Sequence, residues 1–177
     1  MSSGAITETA QDFLGAKTFQ AGNAASGHNT AGLINIQPAA SGTGADTTED
    51  TLYSFTLPAN AFSQTGKAVR IRVWGTTGAT ANNKTVKLYF GASIVFTSAT
   101  SAANNVPWYF EMIVAKNGAN TQFAQVSGSW NGALQAPQIF NGTETDSANI
   151  LLKCTGTNGT AAANDVAAKC YMVEFLN

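Results

Sequence analysis

"KAVRIRVWGTTGATANNKTVKLYFG", residues 67–91, carries apolar side chains at every second position on both sides of a gap rich in glycine and asparagine. Val69, Ile71 and Val73 share one parity, while Arg70, Arg72 and Trp74 share the other. After the gap, Val86, Leu88 and Phe90 alternate with Thr85, Lys87 and Tyr89. A period of two puts one set on a buried sheet face and the other toward water or a partner; a helix needs apolar residues three and four apart. Gly75, Gly78, Asn82 and Asn83 tolerate turn conformations. The stretch reads as a strand, a loop and a strand, forming a hairpin.

The same pattern continues on both sides. Tyr53, Phe55 and Leu57 alternate and stop at Pro58, and Gly91-Ala92-Ser93 turns the chain into Ile94-Val95-Phe96. Trp108, Phe110, Met112 and Val114 alternate up to Asn117-Gly118, a strong short-range hairpin signal, and Phe123 to Trp130 returns from it. A looser stretch from Asn131 to Ser147 holds two more Asn-Gly pairs. Ile150, Leu152 and Cys154 form a strand, and residues 166–176 form the last one. Eight strands at these spacings, with no amphipathic helix longer than two turns, predict an all-β fold: a single eight-stranded antiparallel β-sandwich, jelly-roll-like, over residues 48–177.

Residues 1–47 differ. They are small, polar and glycine-rich, with one apolar island at Leu33, Ile34 and Ile36. Such a segment buries too little apolar surface to order itself alone. Two readings fit it: a surface-draped tail, or an extended arm that orders against a neighbouring subunit by adding a strand to a sheet edge. The assembly expectation takes the second. It is a homo-oligomer in which residues 1–47 contact another chain and not their own sandwich, through Leu33, Ile34, Ile36, Phe13, Leu14 and Phe19.

Composition narrows the partners. Charged residues are 11% of the chain, against about 25% in a typical soluble protein, and the net charge is −1. That balance gives no electrostatic case for nucleic acid or an anionic membrane. It suits β-rich proteins and large interfaces, where desolvating charge is costly. The N-terminus has no basic segment followed by an apolar run, and no stretch approaches about 18 apolar residues, so the expectation is a protein made in the cytosol without a membrane span.

Candidate reactive residues are few. His28 is the only histidine, so a Ser-His-Asp triad or histidine-rich metal site would have to draw on the arm. Glu111 and Glu174 both have outward parity, but nothing in the sequence sets the separation that a glycosidase pair requires. Asp46, Glu49 and Asp50 lack the ligand spacing of an EF-hand and read as a solvated linker. Trp74, Tyr89 and Tyr109 have parity opposite to the core set: either they face outward, where aromatics stack on sugars or anchor an interface, or a second covered face makes them core. Asn83, Asn141 and Asn158 open sequon triplets that read as polar turns. Cys154 and Cys170 fall on different faces and are expected to be free thiols. No catalytic, cofactor-binding or metal-ligating residue is assigned, and no enzyme activity is expected.

"LYSFTLPANAFSQTGKAVRIRVWGTT", "KTVKLYFG", "WYFEMIVAKNGANTQFA" and "ANDVAAKCYMVEFL" together resemble a β-sandwich module recurring in virion proteins of tailed bacteriophages, over roughly residues 51–176. The resemblance implies a structural role, commonly as a trimer, either as a capsid decoration (cement) protein or as part of a tail fibre or baseplate. On that basis the leading expectation is a virion-surface protein, made in the host cytoplasm, that contacts the major capsid protein as a homotrimer. The alternative is a carbohydrate receptor-binding module using the outward aromatics.

Overall fold

The computed structural model describes residues 32–176. They form twelve strands: β1 (Gly32–Gln37), β2 (Ser41–Gly42), β3 (Glu49–Leu57), β4 (Ala68–Thr77), β5 (Lys84–Phe90), β6 (Ser93–Thr97), β7 (Pro107–Gly118), β8 (Thr121–Trp130), β9 (Ala133–Leu134), β10 (Gln138–Gly142), β11 (Ile150–Asn158) and β12 (Val166–Phe175). The larger sheet runs β1-β12-β4-β7-β8-β10, with β2 beside β12 and β9 beside β8; the smaller runs β3-β11-β5-β6. Every pairing is antiparallel. The fold is the antiparallel β-sandwich that the alternation predicts, and all eight expected strands are present as β3–β8, β11 and β12.

Each sheet contributes its alternating apolar set to one shared core. Val69, Ile71 and Val73 of β4 face Val86, Leu88 and Phe90 of β5 within it, all buried. Rings set its centre: Phe96 and Phe110 lie 4.7 Å apart, Trp108 and Phe110 5.9 Å, and Phe62 packs between Phe90 and Phe175.

The opening stretch is not a hairpin. β4 pairs with β12 and β7, while β5 pairs with β11 and β6, so the glycine- and asparagine-rich gap crosses from one sheet to the other. Alternation reports that a strand has one buried face. In a sandwich both sheets bury that face against the same core, so periodicity cannot say which sheet a strand joins. The crossing is held from inside: the Lys84 ammonium donates to the carbonyls of Thr80 (2.5 Å) and Asn82 (2.9 Å) and sits 3.5 Å from Asp165.

Two turn signals resolve differently. β7 and β8 do form a hairpin, but Asn117 and Gly118 lie in β7, and the turn is Ala119-Asn120, with Asn120 at φ 50°. A register shift between Lys116 and Gly118 moves the reversal two residues on. Asn131-Gly132 makes the tight turn from β8 to β9, both residues left-handed at φ 51° and 74°.

The expectation that Leu33, Ile34 and Ile36 do not contact their own sandwich is overturned. β1 pairs with β12 of the same chain, Leu33 opposite Glu174 and Ile36 opposite Met172. β12 would otherwise present an open edge ten residues long, and β1 with β2 satisfies it. The segment is also tied from behind: Tyr53 donates to the Ala39 carbonyl, and Thr43 is backbone-bonded to Val166. The arm boundary at residue 47 is therefore corrected for residues 32–47, which belong to the sandwich. Phe13, Leu14, Phe19 and His28 lie outside the described residues.

Glutamine side chains close both seams between the sheet edges. Gln37 of β1 donates to the Ser54 carbonyl on β3 at 2.7 Å, and Gln138 of β10 donates to the Thr97 carbonyl on β6 at 3.0 Å. Gln135 accepts from the Ala99 amide at 2.9 Å. A side-chain amide offers both a donor and an acceptor, so it substitutes for a missing ladder neighbour.

Candidate functional site

The outer face of the larger sheet is where outward-facing functional side chains gather. Register places them in rows across the strands. One row runs Leu33, Glu174, Arg70, Ile113, Gln125, Ile139; the next runs Ile36, Met172, Arg72, Glu111, Ser127; a third has Cys170, Trp74, Tyr109 and Ser129. Their inward neighbours Val173, Ile71, Met112 and Val126 are buried, so this face looks away from the core.

At its centre the charges are paired. Glu174 Oε2 accepts from Arg70 Nε at 2.9 Å and from Arg72 Nη2 at 2.7 Å, and Arg72 Nε lies 3.8 Å from Glu111 Oε2. Tyr109 donates to Glu111 at 3.2 Å. The Arg72 hydrogen bond holds the Glu174 carboxyl below its ordinary range; partial burial opposes this, and Arg70 adds to it. Reciprocally, Glu174 raises the Arg72 guanidinium. Burial and then the Glu111 charge raise the Tyr109 phenol. The two glutamates that sequence parity placed outward do face outward, yet they are ion-paired through the arginines. Glu174, held ionised in this way, is poorly suited to give up a proton as a general acid, which needs a raised pKa.

The rim is apolar. Of the nine large hydrophobic side chains exposed among the described residues, Leu33, Ile36, Trp74, Phe123, Leu134 and Ile139 lie on this face. Leu134 is 87% and Ile139 66% exposed. Ile94 and Leu151 lie on the outer face of the smaller sheet, and Leu176 follows β12.

The three aromatics divide. Trp74 and Tyr109 are cross-strand neighbours here, but Tyr89 lies on the smaller sheet. There Glu49 accepts from Lys87 at 2.5 Å, from Thr155 at 2.8 Å and from Tyr89, while Lys153 stands 4.0 Å above the Tyr89 ring. Burial disfavours Glu49 ionisation, but these three donors outweigh it and lower the carboxyl to about 2. Burial and the Glu49 contact push the Tyr89 phenol up to about 12.

The other acidic neighbours are occupied by local donors. Asp46 accepts from Thr48, and Asp50 accepts from the Gly44 amide at 2.8 Å. Among the described residues, no group of three or more His, Cys, Asp or Glu is placed to hold a metal ion, and no helix is long and apolar enough to cross a membrane. A cleft of about 290 Å³ between the β6–β7 and β8–β9 connections is lined by small and uncharged residues with Trp130, so it offers no acid or base.

Asn83 and Asn141 are exposed, as polar turns would be, but Asn158 is buried. Its amide donates to the carbonyls of Gly44 (2.9 Å), Asp46 (3.2 Å) and Ala162 (2.9 Å) and accepts from Thr43 at 2.6 Å. Sequence reasoning missed this clasp, because three of its four partners, Thr43, Gly44 and Asp46, lie more than 100 positions away and leave no local pattern.

No family model matches the chain, and no curated protein sequence matches it. Among solved structures, it is similar to the galectin LEC-6 of Caenorhabditis elegans, at 15% identity, covering 69% of this chain and 94% of that one with a TM-score of 0.28. A likeness that loose carries no argument about function.

Proposed function

We propose that this protein is a non-enzymatic virion structural protein of the capsid-decoration type, in which the outer face of the larger sheet is a protein-contact surface. The observation that carries the reading is the asymmetry of the two outer faces: six large exposed hydrophobics surround an internally neutralised Arg–Glu centre on one, and two accompany a polar network on the other. Apolar rim plus compensated charge is what a protein-contact surface needs, since nothing charged is left unmatched when water leaves. The resemblance to tailed-phage virion modules supplies the setting. Sedimentation of the purified protein with empty heads of the encoding phage tests it: co-sedimentation with heads supports the reading, and co-purification with tails alone sinks it. Hydrolysis of polysaccharide or peptidoglycan that is lost on Glu111→Gln or Glu174→Gln would sink it as well.

Trp74 favours a second reading. It is 36% exposed beside Tyr109, with Arg72 and Glu111 adjacent to bond hydroxyls, an arrangement that fits a glycan receptor module. Glycan binding abolished by Trp74→Ala would select it.

A further inference from the structure

The outer face of the larger sheet is self-complementary. Along the path β1-β12-β4-β7-β8-β10, the middle of the sheet falls between β4 and β7. We propose that a second copy of this chain packs on that face, about a two-fold axis running along the strands between β4 and β7.

Such an axis lays each strand over its counterpart counted from the other edge and keeps every row on itself. In the first row Leu33 of one copy meets Ile139 of the other, the two apolar ends of that row. In the second, Arg72 meets Glu111, so each copy offers the other an opposite charge, twice. In the third, Trp74 meets Tyr109, a pairing that aromatic side chains favour. No row sets like charge against like charge: Arg70 falls over Ile113 and Glu174 over Gln125. Axes displaced by a strand lose either the apolar end contacts or the symmetry of the charge match.

The face is also the right size. Six strands about 4.8 Å apart and about nine residues long at about 3.4 Å each span roughly 880 Å², against roughly 800 Å² per partner in a stable interface. Sheets packed face to face in this way sit about 10 Å apart with strands within about 30° of each other. The contact is isologous and closes at two copies, in place of the trimer that the phage resemblance implies.

The test is made on the full chain and needs no particle. Light scattering behind size exclusion should give twice the 18.3 kDa of one chain. L33C/I139C should oxidise to a covalent dimer on a non-reducing gel, because those positions lie on opposite edge strands of one sheet and meet only between copies. Ile139→Glu should halve the mass, while Ile94→Glu on the other sheet should leave it unchanged; both sites are exposed, and circular dichroism checks that the fold survives. A monomeric or trimeric wild-type mass overturns the inference, as does a dimer indifferent to Ile139→Glu or an L33C/I139C variant that fails to cross-link. None of those outcomes decides attachment to heads, which is read separately.

Discussion

The ammonium of Lys84 stands 3.5 Å from the carboxylate of Asp165, and both side chains are shut away from solvent. Lys84 opens β5 just after the crossing between sheets, and Asp165 directly precedes β12. The pair, with Thr80 donating to Asp165, fastens the crossing loop to the larger sheet. Removing one partner of a buried pair leaves the other charge uncompensated, at a cost of about 3–5 kcal/mol. Lys84→Met and Asp165→Leu should each lose stability of that order in denaturant unfolding. The double variant should lose less than either, since no charge is then stranded; a double loss equal to the sum would show that the pair does not interact.

Acid should expose the Glu49 network. Its folded carboxyl titrates at about 2, below the ordinary 4.5. A depressed carboxylate contributes stability that is present above the unfolded value and lost as pH falls toward the folded one. The melting temperature should therefore decline from about pH 4.5 toward pH 2, and Glu49→Gln should flatten part of that decline. Glu174 and Asp146 are lowered too, so some acid sensitivity remains. An unchanged pH profile in Glu49→Gln would show that its three donors do not hold it in solution.

Two glycines should resist substitution for reasons of space. Gly75 is the cross-strand partner of Trp108, and Gly128 of Phe110. A Cβ on Gly75 would stand 2.6 Å from Trp108 Cζ2 and 2.8 Å from Ala168 Cα; on Gly128 it would stand 2.9 Å from Phe110 Cα. Overpacking of this kind costs about 1–3 kcal/mol, and crowded backbone pushes it to the upper end. Gly44→Ala, whose nearest neighbour would be 3.6 Å away, is the matched control. Urea unfolding of the three variants should separate the first two from the third.

What was legible follows from the same geometry. Strand existence and inward parity could be read directly: Val69, Ile71, Val73, Trp108, Phe110 and Met112 are buried as their spacing requires. Partner choice could not. β4 and β5 are adjacent in sequence yet lie in opposite sheets, and β1 joins β12 across more than 130 residues, so only the assembled core decides them. The outward direction of Arg72, Glu111 and Glu174 was visible as well, whereas parity left Trp74 and Tyr109 open between an outward and a core placement. Their gathering into one paired cluster depends on the order β12-β4-β7, which no local signal encodes.

Cys154 and Cys170 are both free and both buried, and they belong to different sheets. Cys154 lies opposite Tyr53 and Leu88 inside the core of the smaller sheet, while Cys170 lies opposite Trp74 on the outward side of the larger one. The bulge between Ala168 and Cys170 leaves that outward placement intact, since Tyr171 on the next position still faces the core. A disulfide needs Cβ atoms about 3.8 Å apart, which two sheets packed about 10 Å apart do not bring about for side chains on opposite sides of one of them. Burial also pushes the Cys154 thiol far above its usual value, so little of the reactive thiolate exists at neutral pH. Titration with a thiol reagent should therefore be slow on the native protein and report two groups once it is denatured without reductant. A count of zero after denaturation would mean that the pair is bridged and that β12 is placed wrongly against β11. Fast native reaction at Cys154, identified by comparison with Cys154→Ser, would mean that the core opens on the timescale of the assay.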